Sequence, residues 1–227
     1  MHSDNGGPCV FGEVARELGH DLVEFRPAAG SAPADFDPHA VLVLGGSMHV
    51  DQENEHPWLM GEREWLQDLL DSGLPTLGVC LGAELLANAA GWNVTRLPRP
   101  EIGWHDVGLT PAAGADPLLS AIPSRFPAFQ WHSYAAEPPP GATVLARNPA
   151  CAQAYRVAQN AWGIQFHAEV DAGSIEKWLS DGADGGDARE VALDPDAVRD
   201  RTRREIGGWM KLGRSLFARF LALAQAG

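Results

Sequence analysis

Across the junction of an apolar run at residues 75–79 and a helix-like run at residues 83–90 lies one pentapeptide, Gly78-Val79-Cys80-Leu81-Gly82. A strand that passes into a helix over so few residues must bend sharply. Glycines on both sides of the bend remove the Cβ clashes it would otherwise create. This is the cysteine form of a nucleophile elbow, and it commits the chain to a buried strand running straight into a helix. A second continuous apolar run, Ala40-Val41-Leu42-Val43-Leu44, is stopped by Gly45-Gly46 and suits a strand covered on both faces. Helical stripes flank these runs: Phe11, Val14, Ala15 and Leu18 over residues 11–18, and Trp58, Trp65, Leu66, Leu69 and Leu70 over residues 57–70. The β-α-β-α rhythm predicts an α/β domain with a mostly parallel sheet and helices on both faces.

Further along, the pattern changes. Short strands are predicted over 22–25, 92–96, 104–109, 126–130, 143–146, 152–156 and 162–166, and those of the middle region are split by Pro and Gly turns, which fits a small antiparallel extension. Residues 181–187 are rich in Gly and Asp and read as a mobile loop, and residues 195–223 read as a long helix with a break at Gly207-Gly208. Residues 1–170 are expected to form one domain and residues 171–227 a C-terminal helical extension packed on it. Residues 1–8 supply no apolar run, although a doubly wound sheet ordinarily opens on one. Two alternatives stay open: the first strand is missing from this chain, with the natural start lying upstream, or the fold tolerates its absence.

Charge narrows the classes of partner. With 17 Lys and Arg against 30 Asp and Glu, the net charge is −13, so the whole-chain field repels phosphate backbones and nucleic acid is not expected as a partner. No apolar run approaches the ~18 residues of a membrane span, and the N-terminus lacks the pattern of a signal peptide. Three well-separated cysteines, Cys9, Cys80 and Cys151, suit reduced thiols in a cytoplasmic protein rather than a disulfide framework. His49, His56 and His105 read as surface or turn residues, and the eight Trp as packing anchors.

Three local patterns carry chemistry, and all fall at predicted strand C-termini, where ligands of open α/β sheets bind. Cys80 stands at a helix N-terminus, whose dipole favours thiolate, and the Leu81 N–H points at the same spot. A buried structural cysteine in a tight turn is the alternative. In His167-Ala168-Glu169, residues i and i+2 project to the same side of an extended backbone, so the carboxylate can orient the imidazole as a base for a cysteine elsewhere in the fold. The alternative is a strand-end histidine beside a surface carboxylate. Gly45-Gly46 permits close backbone approach to a ligand, and the Gly46 N–H can complete an oxyanion hole; a plain turn is the alternative. His132 with His167 and Glu169 offers the composition of a two-His, one-carboxylate metal site, but that reading leaves Cys80 without a role, and no metal or cofactor is expected.

Taken in order, Gly45-Gly46, Gly78-Val79-Cys80-Leu81-Gly82 and His167-Ala168-Glu169 resemble the class I (triad) glutamine amidotransferases. Glu101-Ile102-Gly103-Trp104, Gln130-Trp131-His132-Ser133-Tyr134 and Gly163-Ile164-Gln165-Phe166-His167 resemble the stand-alone members similar to the glutamine amidotransferase domain of GMP synthase. The resemblance spans about residues 5–170. It implies a flavodoxin-like fold and a Cys80–His167–Glu169 triad that hydrolyses the side-chain amide of glutamine through a thioester, giving glutamate and ammonia. It also implies an oxyanion hole at Gly46 and Leu81, and a grip on the amino-acid end of the substrate at Ser133, Tyr134 and position 84. His132 reads as a further residue lining the pocket, with packing beside Trp131 as the alternative. Any ammonia acceptor would be a separate synthetase chain. Two residues depart from the family pattern: Glu84 stands where relatives carry Gln, and Ala168 where they carry Pro. The first opens two alternatives, another γ-glutamyl amide or peptide as substrate, or a non-catalytic binding member.

Overall fold

The computed structural model describes residues 1–2, 6–30 and 37–225. Seven strands form one mixed sheet: β1 (Val41–Val43), β2 (Thr76–Val79), β3 (Asn93–Leu109), β4 (Arg125–Glu137), β5 (Thr143–Arg147), β6 (Ala152–Ala158) and β7 (Ala161–Ile164). Their spatial order is β1-β2-β7-β6-β5-β3-β4. The pairs β1–β2 and β2–β7 are parallel, and the remaining neighbours are antiparallel. The helices are α1 (Cys9–Glu17), α2 (Trp58–Ser72), α3 (Leu81–Ala89), α4 (Ala172–Gly182), α5 (Gly186–Glu190) and α6 (Pro195–Gln225).

Period-2 alternation along the parallel strands divides the core between two faces. Leu77 and Val79 of β2 join Phe11 of α1 and Leu216, Phe217 and Phe220 of α6, with the rings of Phe11 and Phe217 stacked at 4.5 Å. Val41 and Val43 of β1 point the other way and join Leu59 and Leu66 of α2 and Leu85 and Leu86 of α3. Arg214 of α6 reaches across to Glu13 and Glu17 of α1, so polar contacts extend the α1–α6 seam to the surface. No helix among the described residues is long and apolar enough to cross a membrane.

Several sequence expectations change in the folded chain. Residues 22–25 form no strand: the Met1 amine donates to Phe25 O, but no neighbouring ladder exists among the described residues, and Val23 stays exposed. The strands expected at 92–96 and 104–109 are one long strand, because β4 pairs with both halves; the register slips between Arg96 and Glu101, where Pro98 and Pro100 cannot donate to a ladder. Most of the loop expected over 181–187 belongs to the end of α4 and the start of α5. The helix α6 runs unbroken through Gly207-Gly208, because Trp209, Gly213, Leu216 and Phe217 beyond that pair, and Val198 and Thr202 before it, are buried.

The elbow is packed against backbone. A Cβ on Gly82 would lie 2.0 Å from the Val43 carbonyl oxygen, and one on Gly78 would lie 2.5 Å from the Gly82 oxygen. Substituting Gly82→Ala is expected to destabilise the protein by ~3 kcal/mol or more, since backbone cannot yield as a side chain can. Gly61→Ala in α2, where a Cβ meets nothing within 4 Å, is expected to stabilise it by ~0.5–1 kcal/mol. Urea melts of the two variants beside the wild type measure both.

Candidate active site

The C-terminal ends of the three parallel strands bring the three sequence patterns together. β2 delivers Cys80, β7 leads into His167, and β1 leads into Gly45-Gly46. Cys80 has φ 52° and ψ −114°, a positive-φ conformation that a side chain adopts only under strain, of order ~1–3 kcal/mol. Its backbone is fixed on both sides, since Cys80 N donates to Ile164 O at 2.9 Å and Glu84 N donates to Cys80 O at 3.0 Å. A Cβ built on Gly45 would sit 3.1 Å from His167 Cε1 and 3.4 Å from Cys80 Cβ, so loop, imidazole and nucleophile meet at one point.

His167 and Glu169 are both buried, and Nδ1 of the imidazole meets Glu169 Oε1 at 2.7 Å. Nε2 of His167 is buried with no hydrogen-bond partner among the described residues, while the Cys80 thiol donates weakly to Trp131 O at 3.7 Å. The orphaned nitrogen beside a thiol that can rotate is the arrangement a proton transfer needs. Burial opposes the imidazolium, but Glu169 and the Cys80 sulfur outweigh it and push the His167 pKa up to about 10. Burial also pushes the Cys80 thiol above its usual range, against the pull of His167.

Each remaining expected site residue has a definite place. Gly46 and Leu81 line the cleft beside Cys80, as do Glu84, His132, Ser133 and Tyr134. Glu84, on the first turn of α3, is buried, and its Oε1 accepts from Gln165 Nε2 at 2.9 Å. Burial raises its pKa above the ordinary carboxylate range. His132 does not join His167 and Glu169 in a metal triad. Its Nδ1 donates to Tyr134 O at 2.9 Å, and its Nε2 lies 3.2 Å from Glu101.

Some contributors are not legible in the local pattern. His49, expected at the surface or in a turn, lines the cleft and stacks on Tyr134 at 4.2 Å, while the Tyr134 hydroxyl donates to Asp51 at 3.0 Å. From α6, Trp209 Nε1 donates to His167 O at 2.9 Å, and Gly213 packs so closely that a Cβ would lie 2.0 Å from Ala168 O. His2 packs behind the glycine loop: its Nδ1 donates to Leu44 O at 2.8 Å, and its Nε2 meets Glu62 of α2 at 2.8 Å. These contacts join residues far apart in sequence, so no local spacing announces them; the nearest signals are an isolated tryptophan and a glycine inside a helical stripe.

A histidine whose pKa is higher folded than unfolded contributes stability below its unfolded value, and loses it as pH rises through the folded one. The contribution of His167 is therefore expected to be complete below about pH 6.5 and to disappear as pH rises through about 10. Melting temperatures of wild type and His167→Gln should converge across that window. A constant gap would contradict the assigned ion pair.

Comparison with known proteins shows the family. Residues 14–182 match the family model described as glutamine amidotransferase class-I. The glutamine-hydrolyzing GMP synthase of Thermomicrobium roseum is 33% identical over 141 residues, 62% of this chain but 25% of that protein. This chain thus spans about a quarter of the length of that relative. A glutamine-hydrolyzing GMP synthase subunit of Thermoplasma acidophilum is 28% identical over 173 residues, 74% of this chain and 82% of that one. A glutamine amidotransferase of Thermotoga maritima superposes with a TM-score of 0.86 at 26% identity, covering 97% of this chain and 95% of that one. An elbow cysteine and a carboxylate-backed histidine at adjacent parallel strand ends, on a chain matched over most of its length, identify it as a member of the class I glutamine amidotransferase family.

Proposed function

We propose that the protein hydrolyses the side-chain amide of glutamine in the cytoplasm and passes the ammonia to an acceptor enzyme on a separate chain. The observation that carries this reading is the convergence of strained Cys80, the unpartnered His167 Nε2 and buried Glu169 at the ends of β2 and β7. In the first step the imidazolium of His167, which Glu169 and the sulfur hold in its charged form, pairs with the Cys80 thiolate, and that sulfur attacks the amide carbon. The oxyanion accepts hydrogen bonds from the N–H groups of Gly46 and Leu81. The imidazolium returns its proton to the departing nitrogen, ammonia leaves, and a thioester remains. Water, deprotonated by the same imidazole, then adds to the thioester, releasing glutamate and restoring the thiolate. Glu169 keeps the imidazole oriented and stabilises its cation throughout. The relative from Thermoplasma acidophilum, a synthase subunit of similar length, supports an acceptor on another chain.

Glu84 sets the substrate. Burial raises the Glu84 pKa, and whenever that carboxyl carries its proton it offers an O–H where an ionised one offers only negative charge, so in that form it can sit beside the α-carboxylate of glutamine. A second reading keeps the chemistry and changes the leaving group: Glu84 and Asp187 both line the cleft, which favours a γ-glutamyl amide bearing a cation near the reacting end.

Purified protein should release glutamate from glutamine, and Cys80→Ala should lower the rate by about 10³-fold or more with an unchanged melting curve. Equal rates in the two proteins reject the reading. As pH rises, ionisation of Glu84 should raise KM for glutamine. Glu84→Gln should remove that rise and lower KM at alkaline pH by about tenfold, roughly 1.4 kcal/mol. Faster turnover of γ-glutamyl amines than of glutamine, lost in Glu84→Gln, would select the second reading.

A further inference from the structure

Beneath the cleft the fold assembles a set of donor atoms that the proposed chemistry does not use. Glu101 follows the interrupted register of β3, His132 lies opposite it on β4, and Cys151 precedes β6. One ligand atom from each lies within 4.8 Å of the others. Glu101 Oε2 is 3.2 Å from His132 Nε2 and 3.9 Å from Cys151 Sγ. A tetrahedral zinc with bonds of about 2.0–2.3 Å holds its ligands about 3.3–3.6 Å apart, so these separations need only small side-chain turns. Because the three residues are distant in sequence, no motif spacing betrays them, and the sequence reading, which expects no metal, passes over the set.

An independent observation points to a cation there. His132 is buried, and its Nδ1 is committed as donor to Tyr134 O, so in the neutral ring Nε2 carries a lone pair. That nitrogen has no hydrogen-bond partner among the described residues and faces a carboxylate oxygen. Two lone pairs in a dry interior repel unless a positive charge stands between them. The surroundings match those of a metal site. A ligating imidazole typically donates its other nitrogen to a backbone carbonyl, and a ligating carboxylate is itself hydrogen-bonded. Here Asn148 Nδ2 donates to Glu101 Oε1 at 2.5 Å, and His105 Nδ1 lies 3.3 Å from the same oxygen. Both leave Oε2 turned to the cluster. Gln153 closes the remaining side. Its amide nitrogen lies 2.9 Å from Glu101 Oε2 and 3.2 Å from Cys151 Sγ, and its oxygen accepts from Gln130 at 2.6 Å. Turning both amides end over end keeps the bond between them and presents Gln153 Oε1 as a fourth donor.

We infer that Glu101, His132 and Cys151, with Gln153 closing the shell, form a binding site for a zinc-like divalent transition metal directly under the substrate cleft. The mixed thiolate, imidazole and carboxylate set favours zinc over magnesium or calcium. Binding releases the Cys151 proton, and half-buried Cys151 gives the ion a way in. The bound metal fixes His132 and, through the Nδ1 bond, the Tyr134 carbonyl at the cleft. The site does not depend on the glutaminase reading.

Cobalt(II) is the probe, and the Cys80→Ala protein is the background, since Cys80 with His167 can bind metal on its own. One equivalent should produce a sulfur-to-cobalt charge-transfer band with the visible bands of tetrahedral cobalt. Cys9→Ser should leave these bands unchanged, and Cys151→Ser should abolish the charge-transfer band. Zinc should raise the melting temperature of Cys80→Ala but not of Cys80→Ala/Cys151→Ser, with Cys151→Ala replacing serine if that variant misfolds. Folded Cys80→Ala protein with no thiolate band, or a band that survives loss of Cys151, overturns the site.

Discussion

The imidazole of His167, held between a buried carboxylate and a buried sulfur, is the interaction on which the rest of the site depends. Glu169 lies 2.7 Å from Nδ1, and both residues are almost fully removed from water. An imidazole so placed becomes a cation only with an anion beside it. The carboxylate therefore sets the state of the imidazole, and the thiol responds to both. Removing any one of the three leaves an unpaired buried group, which costs more than the pair contributes.

Keeping that cluster in register is a backbone problem, and the fold solves it with close contacts rather than flexible side chains. Gly82 lets α3 approach β1 to within backbone distance, and Gly213 lets α6 do the same at Ala168. Trp209 adds a hydrogen bond to the His167 carbonyl, and His167 N donates to Phe129 O of β4. The histidine thus sits in a backbone vice closed from the sheet on one side and from α6 on the other. A proline, which the family pattern carries at position 168, stiffens a turn by fixing φ. With alanine there, the close packing of Gly213 and the Trp209 bond supply part of that restraint from outside the turn.

Legibility in the sequence follows the range of the interactions. The elbow, the apolar strands and the His167–Glu169 pair depend on neighbours one to four residues away, and their spacing alone puts Cys80, His167 and Glu169 at strand ends. The parallel half of the sheet is readable for the same reason. Long-range partners are not. β3 reads as two strands because its prolines look like a turn until β4 is seen to pair with both halves. Residues 22–25 have strand-like composition, yet a strand exists only beside another strand, and the described residues provide none. His49 reads as a surface or turn residue because nothing local shows that it stacks on Tyr134.

Position 84 shows how far a single departure carries. In water a glutamate in place of glutamine would put a fixed charge against an anionic substrate. Here Glu84 is buried on the first turn of α3 and receives a hydrogen bond from Gln165. Desolvation disfavours the ionised form more than that bond favours it, and the balance lies above the usual carboxylate range. The residue therefore resembles the amide it replaces as long as it keeps its proton, and becomes its opposite once the proton is lost. How readily Glu84 ionises thus depends on how dry the cleft floor stays around it, a property of the packing of α3 against the sheet rather than of the side chain alone.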